Sequence, residues 1–230
     1  MPTTFDLAAV GYAGSDILRR PTSGKVGVAP TKTTAKAPSL RDRHKSQTAR
    51  ALRAAALKLF ATQGYDATTT EEIAEKAGVS ARTFFRYFPT KESLLYTGEH
   101  DWIQSFAEEL PEQPKFLTDL DAMCQTIVKN VPRLERRRQS LLLFVRAIAS
   151  SRTLRGLDGD HQRDDVAVIA DAVAARRGQR SADEACILLA SITLLAYRRA
   201  IELWLNGPTN SDLAKIITKE FGIISRELSG

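Results

Sequence analysis

The chain has 230 residues, with 33 Lys and Arg against 27 Asp and Glu, and 43% of it is hydrophobic. That is enough apolar material for one or two domains with a buried core. Two cysteines far apart, Cys124 and Cys186, exclude a disulfide framework or a Cys/His zinc module and suit a reducing cytosol.

The positive charge is uneven. Residues 1–92 hold 15 Lys and Arg against 8 Asp and Glu, whereas residues 93–230 hold 18 against 19. A basic first part beside a neutral second part is expected if the first part meets a polyanion.

Residues 1–40 read as a disordered tail, rich in Pro, Gly, Thr, Ala and Lys, with little to bury. "FDLAAVGYAG" is too short and too broken by Asp and Gly for a signal-peptide core. Eight basic residues and one acid lie from Arg19 to Lys45. Such an arm, ending at Arg43 and Lys45, suits contact with a nucleic-acid backbone.

From residue 45 onward the pattern is all-α. A first helix is expected over 45–63, with Ala49, Leu52, Ala56, Leu59 and Phe60 as its apolar stripe and Gly64 as its C-terminal stop. Arg50, Arg53 and Lys58 fall outside that stripe. Thr69 and Glu72 fit a capping box for the second helix, with Thr70 an alternative cap. Gly78-Val79-Ser80 turns the chain, Ser80 caps a third helix from Ala81 to about Phe88, and Pro89 stops it. Further helices are expected at 90–110, 116–131, 134–151, 162–178, 181–206 and 211–228. Their breaks fall at Pro111, Pro114, Pro132, "RGLDGD", Gly178 and "NGPTNS". The longest apolar run, Ala185 to Tyr197, is too short to span a bilayer. No membrane partner is expected.

The third helix carries two kinds of residue on two faces. With Phe84 at zero on a helical wheel, Phe88 lies about 40° away, while Arg82 and Arg86 lie at roughly 160° and 200°. The phenylalanines would anchor the helix, and the arginines would face outward. A helix-turn-helix needs this arrangement, because its second helix packs on the first while offering its other side to the DNA major groove. Arg82 or Arg86 could bond a guanine edge, Thr83 could meet a base edge, and Tyr87 could donate to a phosphate. Lys91 adds charge at the next helix start.

"ALKLFATQGYDATTTEEIAEKAGVSARTFFRYFPTKESLL", residues 56–95, resembles the DNA-binding region of tetracycline-repressor-type (TetR/AcrR) transcription regulators. The likeness rests on A-x-x-L-F-x-x-x-G-Y, T-x-x-x-I-A-x-x-A-G-V-S and Y-F-x-x-K-E-x-L-L, in order and spacing. It implies about nine helices per subunit, in a homodimer on a near-palindromic double-stranded DNA operator. It implies a helix-turn-helix over 41–92 and a ligand-binding and dimerisation domain over 93–230. Carried over, Thr70 contacts phosphate. Ala81, Arg82, Thr83 and Phe85 occupy base-reading positions, and Arg86, Tyr87 and Lys91 mainly hold phosphates. Ala81 departs from the pattern because it has no polar group, which moves base reading towards Arg82. "FFRYFPTKE" resembles an actinobacterial subset that answers to acyl-CoA-like ligands, mycofactocin-associated regulators among them.

DNA binding alone gives no reason for the second part; regulation by a ligand does. Trp102, Phe106, Leu120, Cys124, Ile127, Phe144, Ile148 and Ile169 are candidate lining residues. Arg146 stands alone in "SLLLFVRAIAS"; it needs an acidic or anionic partner if buried, or else snorkels at the surface. "RLERRRQS", residues 133–140, is either a solvated corner or a site for a phosphate-bearing ligand. Helix 181–206 is apolar over much of its circumference, as if one face met its own bundle and the other a mate. His161 and Asp165 share a helix face, but the dipole at a helix start already explains acidic residues there, and no metal or other cofactor is expected. With no P-loop, G-x-S-x-G or G-x-G-x-x-G, no enzyme is expected. The expectation is a cytoplasmic, nucleoid-associated regulator, most simply a repressor. The competing expectation is a small-molecule or lipid-binding helical protein without a transcriptional role.

Overall fold

The computed structural model describes residues 40–96 and 100–229, and every regular element among them is a helix. The expected N-terminal arm and the side chain of Arg43 lie outside the described residues. The helices are α1 (Leu40–Gln63), α2 (Thr70–Lys76), α3 (Ala81–Tyr87), α4 (Ser93–Tyr96), α5 (His100–Glu109) and α6 (Asp119–Lys129). After them come α7 (Val131–Glu135), α8 (Arg138–Ser150), α9 (Arg152–Arg177), α10 (Glu184–Asn206) and α11 (Leu213–Ser229).

The first three helices end where local chemistry ends them. Gly64, at φ +87°, closes α1. The α2 capping box is complete: Glu72 N–H donates to Thr69 Oγ1 at 3.2 Å, and Thr69 N–H donates to Glu72 Oε2 at 2.8 Å. These bonds from Thr69, the backbone one foremost, lower the Glu72 pKa. The turn after α2 is a Schellman motif. Gly78 takes φ +72°, its N–H reaches the Glu75 carbonyl at 2.9 Å, and Val79 N–H reaches Ala74 at 2.9 Å. Ser80 then accepts from Thr83 N–H at 3.2 Å and starts α3. Phe88, held extended before Pro89, ends it.

Two expected boundaries differ. The helix expected over 134–151 is represented by α7 and α8, whereas that expected over 90–110 is described as α4 and α5, with residues 97–99 between them outside the described residues. "RGLDGD" is no loop. It lies inside α9, which starts ten residues earlier than expected, capped by Ser151 accepting from Leu154 N–H at 3.4 Å. Each glycine costs a helix about 1 kcal/mol. Burial of Leu154 just before the segment offsets that cost, and Asp158 within it is ion-paired to Arg198 at 2.9 Å.

Two apolar clusters form. The smaller joins Leu52, Ala56 and Phe60 of α1 to Ile73, Phe84, Phe88, Leu94 and Leu95. It continues past residue 92 to Ala147, Ile148 and Leu154, so α8 and the start of α9 help close it. The larger joins α5, α6, α9, α10 and α11 around Phe106, Met123, Trp204 and Ile217.

Two arginines, Arg176 buried and Arg138 half-buried, fix the larger unit. Arg176 donates to the Gln113, Pro114 and Leu117 carbonyls at 2.7, 2.8 and 3.0 Å and pairs with Asp119 at 3.2 Å. It thus fastens the 110–119 loop to the end of α9. Arg138, from the basic corner, donates to the Trp204 and Gly207 carbonyls at 2.7 and 3.2 Å and lies over the Trp204 ring. That residue of the corner ties α8 to the end of α10.

Candidate functional site

Helix α3 separates its residues by face. Phe84 and Phe88 are buried, with Phe84 stacked edge-on against Phe85 at 5.2 Å. Arg82 and Arg86, one turn apart, are exposed. Phe85 is 52% exposed, an unusual display for a phenylalanine, and it sits beside that ridge. Tyr87 is half-buried with the Arg86 guanidinium 5.3 Å from its ring centre. Ala81 and Thr83 are half-buried, and the Thr83 hydroxyl lies 3.1 Å from Ser80 Oγ, within the cap. Thr70 is the first residue of α2, and Lys45 is exposed on α1.

Lys91 makes contacts that spacing does not reveal. Its ammonium donates to the Tyr65 and Thr68 carbonyls at 2.7 and 2.8 Å and lies 4.0 Å from the Tyr65 ring centre. Beside it the Tyr65 hydroxyl bonds Glu92, and burial raises the Tyr65 pKa well above its ordinary value. Lys91 therefore clamps the α1–α2 connection onto the segment that leads into α4.

A cavity of about 720 Å³ lies between α1 and the larger unit. Small-molecule sites span roughly 300–1,000 Å³. Four helices each turn one stripe at i, i+3, i+4, i+7 into it. From α1 come Arg50, Arg53, Ala54 and Leu57. From α9 come Asp158, His161, Gln162 and Asp165, and from α10 Leu194, Tyr197, Arg198 and Ile201. The fourth stripe is Leu141, Phe144, Val145 and Ile148 of α8. Arg133 and Arg137 enter from the basic corner, and Trp102, Phe106 and Ile127 from α5 and α6. Phe106, Ile127 and Ile148 are buried and form an apolar floor. Five arginines face two aspartates around the space.

Of the candidate lining residues, Trp102, Phe106, Ile127, Phe144 and Ile148 meet at this cavity. Leu120, Cys124 and Ile169 do not. Cys124 packs towards α11, its thiol bonded to Thr218 and its pKa raised by burial. Arg146, a ligand-binding candidate, is exposed on α8 and is not among the cavity's lining residues, which fits its surface alternative. Tyr96, Asp158, His161, Arg198 and the two α1 arginines were missed. The second stripe of α1, offset from its core stripe, was the available signal.

Among the described residues no group of three or more His, Cys, Asp or Glu side chains could hold a metal ion. His161 instead stacks on the Tyr96 ring at 3.8 Å. No helix among them is long and apolar enough to cross a membrane.

Two family models match this arrangement in tandem. The bacterial regulatory proteins of the tetR family match residues 52–96, and the MftR C-terminal domain matches residues 120–229. The chain belongs to the TetR family. The first match covers the capped α2–α3 pair, and the second runs from α6 to the end of α11.

Curated relatives of this TetR-family chain include the HTH-type transcriptional regulator TcmR of Streptomyces glaucescens. It is 38% identical over 101 residues, covering 44% of this chain and 45% of the relative. HbdR of Aromatoleum sp. (strain CIB) is 30% identical over 102 residues, 44% of each chain. The matched stretch thus spans less than half the length of either relative. The fold is shared with NalD of Pseudomonas aeruginosa, a secondary repressor of a multidrug efflux pump, at TM-score 0.55 and 18% identity over 79% of this chain and 96% of that one. It is shared also with SmeT, solved with triclosan, at TM-score 0.56 and 17% identity over 76% of this chain and 88% of that one.

Proposed function

We propose that this chain is a homodimeric, ligand-responsive DNA-binding regulator, most simply a repressor released from a near-palindromic operator. One observation carries the reading: the exposed Arg82–Arg86 ridge of α3 and the cavity share helix α1 between them. A molecule entering the cavity therefore touches the unit that carries the reading helix. In this reading residues 41–92 form the reading unit and 93–230 the regulatory unit. Arg82 reads a base edge, with Phe85 and Thr83 beside it for thymine methyls, and Arg86, Tyr87 and Thr70 hold phosphates. Lys91 positions the unit and adds charge near the backbone.

The dimer surface would be α10 with α11. Leu194 and Ile201 of α10 are buried in their own bundle, whereas Leu188 and Leu195 are exposed at 62% and 66%. Two such leucines seven residues apart suit a mate helix. The ligand would be an acyl-CoA-like amphipathic anion, since an apolar floor lies beneath a rim richer in arginine than in aspartate. It would act by lowering operator affinity as it shifts the spacing of the two reading helices. The chain would work in the cytoplasm, at the chromosome.

A mobility-shift assay on the DNA flanking its own coding region tests this, with and without fatty acyl-CoAs. The expected result is a specific complex at moderate salt that the acyl-CoA dissolves. Absence of any specific complex would leave a ligand-binding protein without a transcriptional role.

A further inference from the structure

We infer that helix α1 of the reading unit itself holds the ligand's anionic head, through Arg50 and Arg53. This rests on the reading above that the cavity takes an amphipathic anion, and it names which helix carries the charge. Both side chains line the cavity, three residues apart on one face of α1, with Ala54 and Leu57 continuing that face. The adjoining face of α1, Leu52, Ala56 and Phe60, is locked into the core beneath α2 and α3, and Leu57 belongs to both the cavity lining and that core. A group bound by Arg50 and Arg53 is therefore bound to the rigid body that carries the reading helix.

The remaining cavity charges divide the space. Arg198 is paired with Asp158, whose carboxylate also accepts from Gln162 at 2.9 Å. Arg50 is exposed and Arg53 half-buried, as are Arg137 and Arg133 of the α7–α8 corner, so the α1 pair shares the rim above the buried apolar floor. Arg53 donates to the Leu95 carbonyl at 2.5 Å. A guanidinium has five N–H donors, and a phosphate or carboxylate is a stronger acceptor for it than a neutral carbonyl. An anion at the mouth thus competes for the arginine that ties α1 to α4, and linkage makes ligand and operator oppose one another.

The test compares wild type, Arg50→Gln, Arg53→Gln and the double variant by isothermal titration. The probes are decanoyl-CoA, decyl phosphate and uncharged 1-decanol. Arg146→Gln serves as the control, since that side chain lies off the cavity. Circular dichroism melts check folding, and Arg50→Gln serves alone if loss of the Arg53 bond loosens the head. Each charge-assisted bond lost should weaken the anionic probes about tenfold or more, leaving 1-decanol unchanged. Wild-type affinity of the double variant for both anionic probes would overturn the inference while leaving the ligand reading intact. So would a parallel loss of 1-decanol, which would mark a change of cavity shape. Failure of wild type to bind either anionic probe would overturn both readings.

Discussion

Helix α3 and the cavity are made of the same materials, aromatic rings and arginines, arranged on different principles. In α3 the two kinds are separated around one helix: Phe84 and Phe88 inward, Arg82 and Arg86 outward. In the cavity they are separated by depth. Rings and aliphatics from α5, α6 and α8 form a floor, and arginines from α1 and the α7–α8 corner form a rim. The first arrangement is written within eight residues. The second exists only after five or more helices have met. A helix anchored by its own face should lose its fold with its anchor, whereas a cavity assembled from many helices should tolerate change in its rim.

Phe84→Ala is the most severe test of that contrast. Phe84 is wholly buried in the small cluster. Phe→Ala in a core costs about 3–5 kcal/mol. The variant should lose the reading unit's cooperative melt and its DNA binding together. A small change in melting would mean that α3 is held by something other than this ring.

Arg176→Ala tests the larger unit. The side chain is 3% exposed and bonds three carbonyls and Asp119. Leaving those acceptors buried should cost about 3 kcal/mol, read by urea unfolding. Its neighbour Arg177 bonds the same Asp119 at 2.7 Å but is partly exposed, so Arg177→Ala should cost under about 1 kcal/mol after solvent screening. Equal costs would show that the loop is not fastened from within.

How much of this was legible follows from how far each device reaches along the chain. The capping box at Thr69 and Glu72, the Gly78 turn and the Phe88–Pro89 stop act over three to five residues, and those boundaries could be read directly. Lys91 could be read only in part. Its charge was visible, but its bonds to Tyr65 and Thr68 cross more than twenty residues. "RGLDGD" misled for the same reason: glycine and aspartate signal a loop locally, but Asp158 is claimed by Arg198, forty residues away. The apolar run around Arg146 made burial plausible, but one exposed strip along α8 was enough to admit it.

Arg82→Ala should leave the melt unchanged and cost about 1–3 kcal/mol on the operator, concentrated at one base position. Arg86→Ala should instead weaken all sequences alike and lower the salt slope by about one. Swapped signatures would reverse the division of labour between the two arginines. Either result would separate recognition from stability on one helix, which the cavity's arginines do not allow as cleanly.

The smallest effect tests what the two regions share. Both begin key helices with a carboxylate bonded to backbone N–H: Glu72 in α2 and Asp183 in α10. Asp183 accepts from Cys186 N–H at 2.8 Å, and that bond is the main reason its pKa falls from 3.8 to about 2. A carboxylate whose pKa falls on folding stabilises the fold while it is charged. The contribution is therefore complete above about pH 4, the unfolded range, and disappears as pH falls through about 2. Asp183→Asn keeps an acceptor at the cap but cannot titrate. The wild type should melt slightly above the variant at neutral pH, and the gap should close between pH 4 and 2. A gap that persists in acid would place the stabilisation in the side chain's shape, and the carboxylate at α10 would then differ in kind from the one at α2.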